Sequence, residues 1–179
     1  MRINNKKVKQ LYNFLLENED TDTDYWWSAG GDSNLVYYLT NFDSDLDWEE
    51  LKEQLKLWSN NKLEILSYCI LSDCGYTKDE FKKFSIITDS FENGMSKIVK
   101  QRFDLIIPII EISKSRNEKA DYILMEIKDN LMQFVDFNLD LFLEEINYFK
   151  PKLIEIFNQL DIKDINSYYP NSYKAFFNS

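Results

Sequence analysis

The stretch LEILSYCILSDC, residues 63–74, carries apolar side chains on nearly every side when it is placed on a helix. A helix that is hydrophobic all round must be covered by protein on more than one face. The stretch therefore predicts an inner helix with neighbouring helices on both sides, supplied by the rest of the chain.

Apolar residues before and after this stretch recur at spacings of three and four, the pattern of amphipathic helices. The clearest stripe runs from Ala120 to Val135, and strand-like alternation is nowhere sustained. We therefore expect a single all-α domain, residues 1–179, in which short connections favour antiparallel hairpins. The hairpins would stack as a short, HEAT-like α-solenoid or pack as an irregular helical bundle. The pattern predicts about nine helices, at 3–18, 33–42, 48–59, 62–74, 78–92, 96–114, 118–136, 139–149 and 151–160.

Helix starts are indicated by acidic and hydroxyl residues at fixed spacing. Asp47 with Glu50, and Thr77 with Glu80, have the spacing of capping boxes, in which two side chains satisfy the free amides of a first helical turn. These pairs predict that helices begin near residues 48 and 78.

Helix ends are indicated by glycine and proline. Gly75 and Gly94 follow apolar periodic segments, where a left-handed residue commonly ends a helix. Pro108 predicts a kink or break in a buried helix, because proline removes a backbone hydrogen bond. Pro151 suits the first turn of a helix and predicts a boundary between two late helices.

Several kinds of chemistry lack the residues they need. The chain has no His, which removes His-activated nucleophiles, and it has only two Cys, too few for a structural zinc site. Cys69 and Cys74 would lie on different faces of one helix, so we expect free thiols. We therefore expect no metal, no cofactor and no catalytic activity.

Membrane insertion is also not indicated. No apolar run approaches the roughly 20 residues that span a bilayer. The basic N-terminus has the spacing of an amphipathic helix and no cleavage site of small residues, so we expect a mature, cytoplasmic protein.

The net charge of -10 is concentrated in one segment. Residues 17–53 carry twelve acidic side chains against a single base, Lys52, whereas residues 1–16 carry only basic ones. Such a field repels nucleic acid and anionic membranes and attracts basic partners. The acids of residues 45–50 have an alternative role, because negative charge complements the dipole at a helix start. Five acids remain without such a role: Asp20, Asp22, Asp24, Asp32 and Asp43.

Four of these acids lie in DTDTDYWWSAGGDSN, residues 20–34, which has no helical pattern of its own. Its alternating aspartates resemble the start of a calcium loop, but Tyr25 stands where glycine is required and Gly31 where a bidentate Glu is required. A phosphate loop is excluded because no base lies between Lys9 and Lys52. The glycine pair instead predicts a chain reversal before a helix cap at Asp32 or Ser33.

The aromatic residues of this region have two possible roles. Adjacent residues on an irregular segment point in different directions, so we expect one of Trp26 and Trp27 in the core and the other partly exposed. Of the pair Tyr37 and Tyr38, the second lies on an apolar stripe, so Tyr37 is the expected surface residue. Exposed Trp and Tyr beside charge are typical of protein-binding hot spots.

Two consecutive segments resemble a known class of protein. DWEELKEQLKLW (47–58) followed by LEILSYCILSD (63–73) is similar to the central hairpins of HEAT-like immunity proteins, the small acidic helical proteins that bacteria pair with toxins. The resemblance implies a cytoplasmic monomer that binds a toxin domain one to one and has no catalytic activity.

The combined prediction is an immunity protein whose acidic, aromatic-edged surface binds a basic toxin domain, with a nuclease as one candidate. The expected contact residues are Asp20, Asp22, Asp24, Trp26, Trp27, Asp32, Tyr37 and Asp43. One alternative is a small hydrolase of glycan-type substrates that uses a carboxylate pair near the two tryptophans. Another is a helical-repeat scaffold or regulatory protein that binds through a concave surface.

Overall fold

The computed structural model describes residues 3–27, 29–72, 91–116 and 120–162. Within these ranges the secondary structure is helical and contains no strand, which confirms the all-α prediction. The helices are α1 (Lys6–Asn18), α2 (Thr23–Trp27), α3 (Gly31–Thr40), α4 (Asp45–Leu55), α5 (Asn60–Leu71), α6 (Phe91–Phe103), α7 (Ile106–Ser115), α8 (Asp121–Phe137), α9 (Leu139–Glu144) and α10 (Ile146–Gln159).

Helix α5, which contains most of the apolar stretch, lies at the centre of the described fold. It packs most extensively against α8 and also contacts α3, α6 and α7. Leu63, Leu66 and Ile70 are fully buried, and Cys69, which forms no disulfide with a described residue, is buried beside them. The prediction of an inner helix covered on more than one side agrees with these contacts.

Helix α4 begins three residues earlier than the predicted capping box. Ser44 has extended backbone geometry and caps the helix, and the Asp47 carboxylate accepts a hydrogen bond from the Ser44 amide at 3.2 Å. Asp47 is therefore the third residue of the helix, and the predicted pairing of Asp47 with Glu50 was wrong. A capping box is present, but it pairs Ser44 with Asp47, three residues upstream of the predicted pair.

The predicted helix at 96–114 is divided in two. Helix α6 ends at Phe103 and α7 begins at Ile106, so the break precedes Pro108. Pro108 then lies in the first turn of α7, where a backbone N–H would have no helical partner in any case. Gly94 was wrongly predicted to end a helix, because it lies inside α6.

The predicted boundary at Pro151 was also wrong. The boundary between α9 and α10 lies at Glu145, and Pro151 is an internal residue of α10. Proline removes the hydrogen bond to the carbonyl four residues earlier, but α10 buries apolar residues on one face before and after it. Phe149, Leu153 and Phe157 are all buried, so packing stabilises the continuous helix.

Some predictions fall outside the described residues. These include most of the helix predicted at 78–92, its capping pair Thr77 and Glu80, the terminator Gly75, and Cys74. Within the described ranges, every helix is too short or too polar to cross a membrane.

A buried carboxylate joins the starts of α1 and α4. Asp47 is 5% exposed and accepts hydrogen bonds from Asn5 Nδ2 at 2.7 Å and Lys7 Nζ at 3.2 Å. Asn5 also caps α1, through its side-chain oxygen and the Val8 amide at 3.1 Å. Burial acts to raise the pKa of Asp47, but the hydrogen bonds from Asn5, Ser44 and Lys7 outweigh it and hold the pKa well below its ordinary value.

We expect Asp47→Asn to lower the free energy of unfolding at pH 7 by about 2–3 kcal/mol. The substitution removes a buried charge that accepts hydrogen bonds from Asn5, Lys7 and the backbone amides of Asp43 and Ser44. The folded-state pKa of Asp47 is depressed, so its stabilising effect is present above the unfolded-state pKa near 3.8 and is lost as the pH falls below that value. Urea unfolding of both proteins from pH 3 to pH 7 measures this difference. Glu111→Gln, at an exposed position on α7, is the control. A stability difference independent of pH would contradict the electrostatic role.

Candidate functional site

The aspartates of residues 20–24 form an exposed acidic loop between α1 and α3, defined here as Asp20, Asp22 and Asp24. All three are exposed. The loop is ordered by local hydrogen bonds, since the Asp22 carboxylate accepts from the Asp24 amide at 3.1 Å and Thr21 Oγ1 donates to the Asn18 carbonyl at 2.6 Å. The three carboxylates therefore lie on a segment of defined backbone, which runs from the turn after α1 into the first turn of α2.

Residues 20–34 are more helical than their sequence pattern predicted. Helix α2 occupies Thr23–Trp27, and α3 begins at Gly31 rather than near residue 33. The short helix was missed because five residues are too few to show a helical period. The available signal was Asp22, whose side chain bonds the backbone two residues later as such residues do before helical turns.

Trp26 belongs to the core and is 4% exposed. Its ring makes edge contacts with Phe14 at 5.8 Å and Tyr25 at 5.1 Å between ring centroids. The prediction that the Trp26 side chain contacts a partner at the surface is therefore wrong. The expectation that one tryptophan of the pair is buried is met by Trp26, and the side chain of Trp27 lies outside the described residues.

The glycine pair is required by the backbone and by packing against Trp26. Gly30 has a φ of 86°, in the left-handed region, and it caps α3 in place of the predicted Asp32 or Ser33. A Cβ on Gly31 would lie 2.8 Å from the Tyr25 carbonyl oxygen and 2.9 Å from Trp26 Cε3. The two glycines therefore allow α2 to pack closely against the start of α3.

The remaining predicted contact residues differ in exposure. Tyr37 is 43% exposed and Tyr38 is half-buried, as the apolar stripe predicted. Asp32 is half-buried, and its carboxylate accepts from the Ser33 amide at 2.6 Å. Asp43 is exposed but forms an ion pair with Lys7 at 2.5 Å between Nζ and Oδ1.

Ion pairs divide the acidic segment into two parts. Helix α4 and the residues before it are largely neutralised by lysines, in the pairs Lys7 with Asp43 and Asp47, Lys52 with Glu49, Lys56 with Glu53, and Lys97 with Asp45. No ion pair within the described ranges neutralises Glu17, Asp20 or Asp32. Within the acidic segment, charge without an ion pair therefore remains at the end of α1, in the acidic loop at Asp20 and at the start of α3.

A cleft of about 110 Å³ opens beside the acidic loop, between that loop and α5. Its lining includes Glu19, Thr21, Trp26, Asn61, Glu64 and Tyr68. Glu19 is ion-paired with the buried Lys62. Burial, and then repulsion from Glu126, raises the pKa of Glu64.

Sequence reasoning did not identify Glu64 or this cleft. The available signal was an acidic residue within the otherwise apolar stretch 63–71. A carboxylate at such a position is either paired or functional more often than a surface carboxylate is. The neighbour that perturbs it, Glu126, is on α8 and is distant in sequence, so the pair becomes visible only in the folded chain.

We expect Gly31→Ala to lower the free energy of unfolding by about 1–3 kcal/mol, because its methyl group must displace the Tyr25 backbone and the Trp26 ring. Gly30→Ala should cost about 1–2 kcal/mol through its left-handed backbone, and Gly30→Asn should cost less, since Asn tolerates that region. Urea unfolding followed by tryptophan fluorescence gives these differences. Equal stability of Gly31→Ala and the unsubstituted protein would contradict the close packing.

Ligand groups other than carboxylates are sparse in this region. Across the part of the chain that the structure describes, no group of three or more His, Cys, Asp or Glu residues is placed to hold a metal ion.

Comparisons of the chain with protein-family models, curated proteins and solved structures found no match.

Proposed function

We propose that this protein is a binding protein that neutralises a basic protein partner, in the manner of bacterial immunity proteins that block a toxin domain. The observation that carries the proposal is the exposed acidic loop, Asp20, Asp22 and Asp24, together with the exposed Tyr37 of α3. The acids of α4 support the proposal less, because lysines of the same chain balance most of them.

The acidic loop suits recognition by charge. Like-signed carboxylates close together accelerate encounter with a basic surface and discourage acidic partners. A nuclease toxin would present such a surface, since its active-site cleft is built to bind phosphate, and carboxylates could occupy that cleft in place of a nucleic-acid backbone. The partner is therefore proposed to be a basic toxin domain, with a nuclease as the favoured type.

The burial of Trp26 changes the proposed contact surface but supports its rigidity. Trp26 packs beneath the loop, on Phe14 and Tyr25, so it positions the carboxylates instead of contacting the partner. A pre-organised surface loses less conformational entropy on binding. The proposed contacts are Asp20, Asp22, Asp24, Asp32 and Tyr37, with Asp43 at the edge because Lys7 already pairs with it.

The other properties of the proposal follow from the resemblance to immunity proteins. The protein would act as a cytoplasmic monomer in a one-to-one complex, without catalysis and without binding nucleic acid or membranes. The gene next to this one gives an independent test: a large protein that ends in a small basic domain would support the proposal.

A hydrolase is the second candidate, and Glu64 is the observation that favours it. A carboxylic acid with a raised pKa beside a tryptophan is a feature of some glycan-cleaving sites. The size of the cleft argues against a hydrolase, since its volume of about 110 Å³ is small beside the roughly 300–1,000 Å³ of typical ligand pockets. Turnover of a glycan panel that disappears in Glu64→Gln would favour the hydrolase over the binding protein.

Charge reversal of the acidic loop tests the binding proposal. We expect the triple variant Asp20→Lys, Asp22→Lys, Asp24→Lys to associate with its basic partner about tenfold or more slowly at low salt, and with a smaller dependence on salt. Stopped-flow association rates across a salt series measure both effects, with the neighbouring gene's product or a pulled-down stoichiometric protein as partner.

The control variant makes the same change in net charge at a surface away from the acidic loop. The triple variant Asp140→Lys, Glu144→Lys, Glu155→Lys alters three exposed acids on α9 and α10 by the same total charge. It should reduce association much less than the loop variant does. Association rates that respond equally to both variants, or to neither, would overturn the proposed role of the acidic loop.

A further inference from the structure

We infer that the cleft beside the acidic loop receives one lysine or arginine side chain of the basic partner, as the anchor of the complex. This inference rests on the proposed function and specifies what the partner must present. Thr21, which belongs to the loop segment, is also part of the cleft wall, so the cleft is continuous with the proposed binding surface.

One of the two carboxylates in the cleft wall has no cationic partner among the described residues. Glu19 is already matched by Lys62, whose side chain is 5% exposed and also lies 5.4 Å from the centre of the Tyr12 ring. Glu64 has no ion pair or hydrogen bond with a base among the described residues, and its electrostatic neighbour is another carboxylate, that of Glu126. The cleft thus has one carboxylate whose repulsion a bound cation would relieve.

A second, larger cleft shows the contrast. It measures about 230 Å³ and is lined by residues of α4 and α6 together with Asp104. Each of its carboxylates already has a cation: Lys97 for Asp45, Lys52 for Glu49 and Lys152 for Asp104. The carboxylates of that cleft are already paired, whereas Glu64 has no ion pair among the described residues.

The walls of the cleft also suit a long cationic side chain. Tyr68, which is half-buried in the cleft wall, provides aromatic surface for the methylene groups of lysine or for the plane of a guanidinium group. A volume of about 110 Å³ fits one side chain better than a larger ligand.

Two small probes of nearly the same shape test this inference without the partner. N-acetyl-arginine amide carries the guanidinium charge, and N-acetyl-citrulline amide replaces it with a neutral urea group. Both would be titrated into the full chain at constant ionic strength, and NMR would follow the Trp26 indole N–H and the Ile65 methyl group, which also lies in the cleft wall.

We expect saturable shifts of both signals with the arginine probe and much smaller shifts with the citrulline probe. In Glu64→Gln, the arginine probe should bind about tenfold more weakly, because a charge-assisted contact is lost. Glu111→Gln, at an exposed position on α7, should bind it unchanged. Equal shifts with the two probes, no shift with either, or unaltered binding by Glu64→Gln would overturn the inference.

This experiment separates the inference from the proposed function. If the arginine probe does not bind the cleft but charge reversal of the acidic loop still slows association, the anchor is wrong and the acidic surface stands. If the probe binds and charge reversal changes nothing, the cleft binds a cationic side chain but the proposed acidic surface fails.

Discussion

The fold depends on the burial of helix α5, whose surface is mostly apolar and which faces water only through a few residues such as Asn61 and Glu64. Each fully buried Leu or Ile contributes roughly 1.5–3 kcal/mol on transfer from water, so the stretch is stable only when other helices enclose it. Helix α8 covers one side, while α3, α6 and α7 cover others. This constraint packs α3 of the N-terminal part and the long helix α8 against the same inner element.

Polar contacts then align the N-terminal helices on that core. The buried ion pair of Lys62 with Glu19 joins the start of α5 to the end of α1. At the other end of α1, Asp47 joins Asn5 and Lys7 to the start of α4. Since both ends of α1 are held, the loop that follows it emerges at a defined position beside α5. The acidic surface and the cleft are therefore consequences of the same packing.

The position of Trp26 connects structure and proposed function. An aromatic residue beside several aspartates resembles a binding hot spot, yet Trp26 supports the loop from beneath, and Gly31 allows the close approach of α2 to α3. The surface retains Tyr37 and the carboxylates, and the cleft contributes Glu64 at its side. Recognition by charge, anchored at one cleft, is the arrangement that these residues favour.

The sequence by itself determined the helical class, the inner position of α5 and the location of the negative charge, because these depend on residue spacing and composition. It did not determine the helix boundary at Glu145, since the local preference of Pro151 was outweighed by the burial of residues such as Phe149 and Leu153. Nor did it determine that the earlier break lies before Pro108, which occupies the first turn of α7. Only the tertiary structure decided which aspartates are neutralised by lysines, that Trp26 is buried, and that Glu64 meets Glu126 across α5 and α8. These features depend on distances between residues far apart in the chain, and a linear pattern contains no such distances.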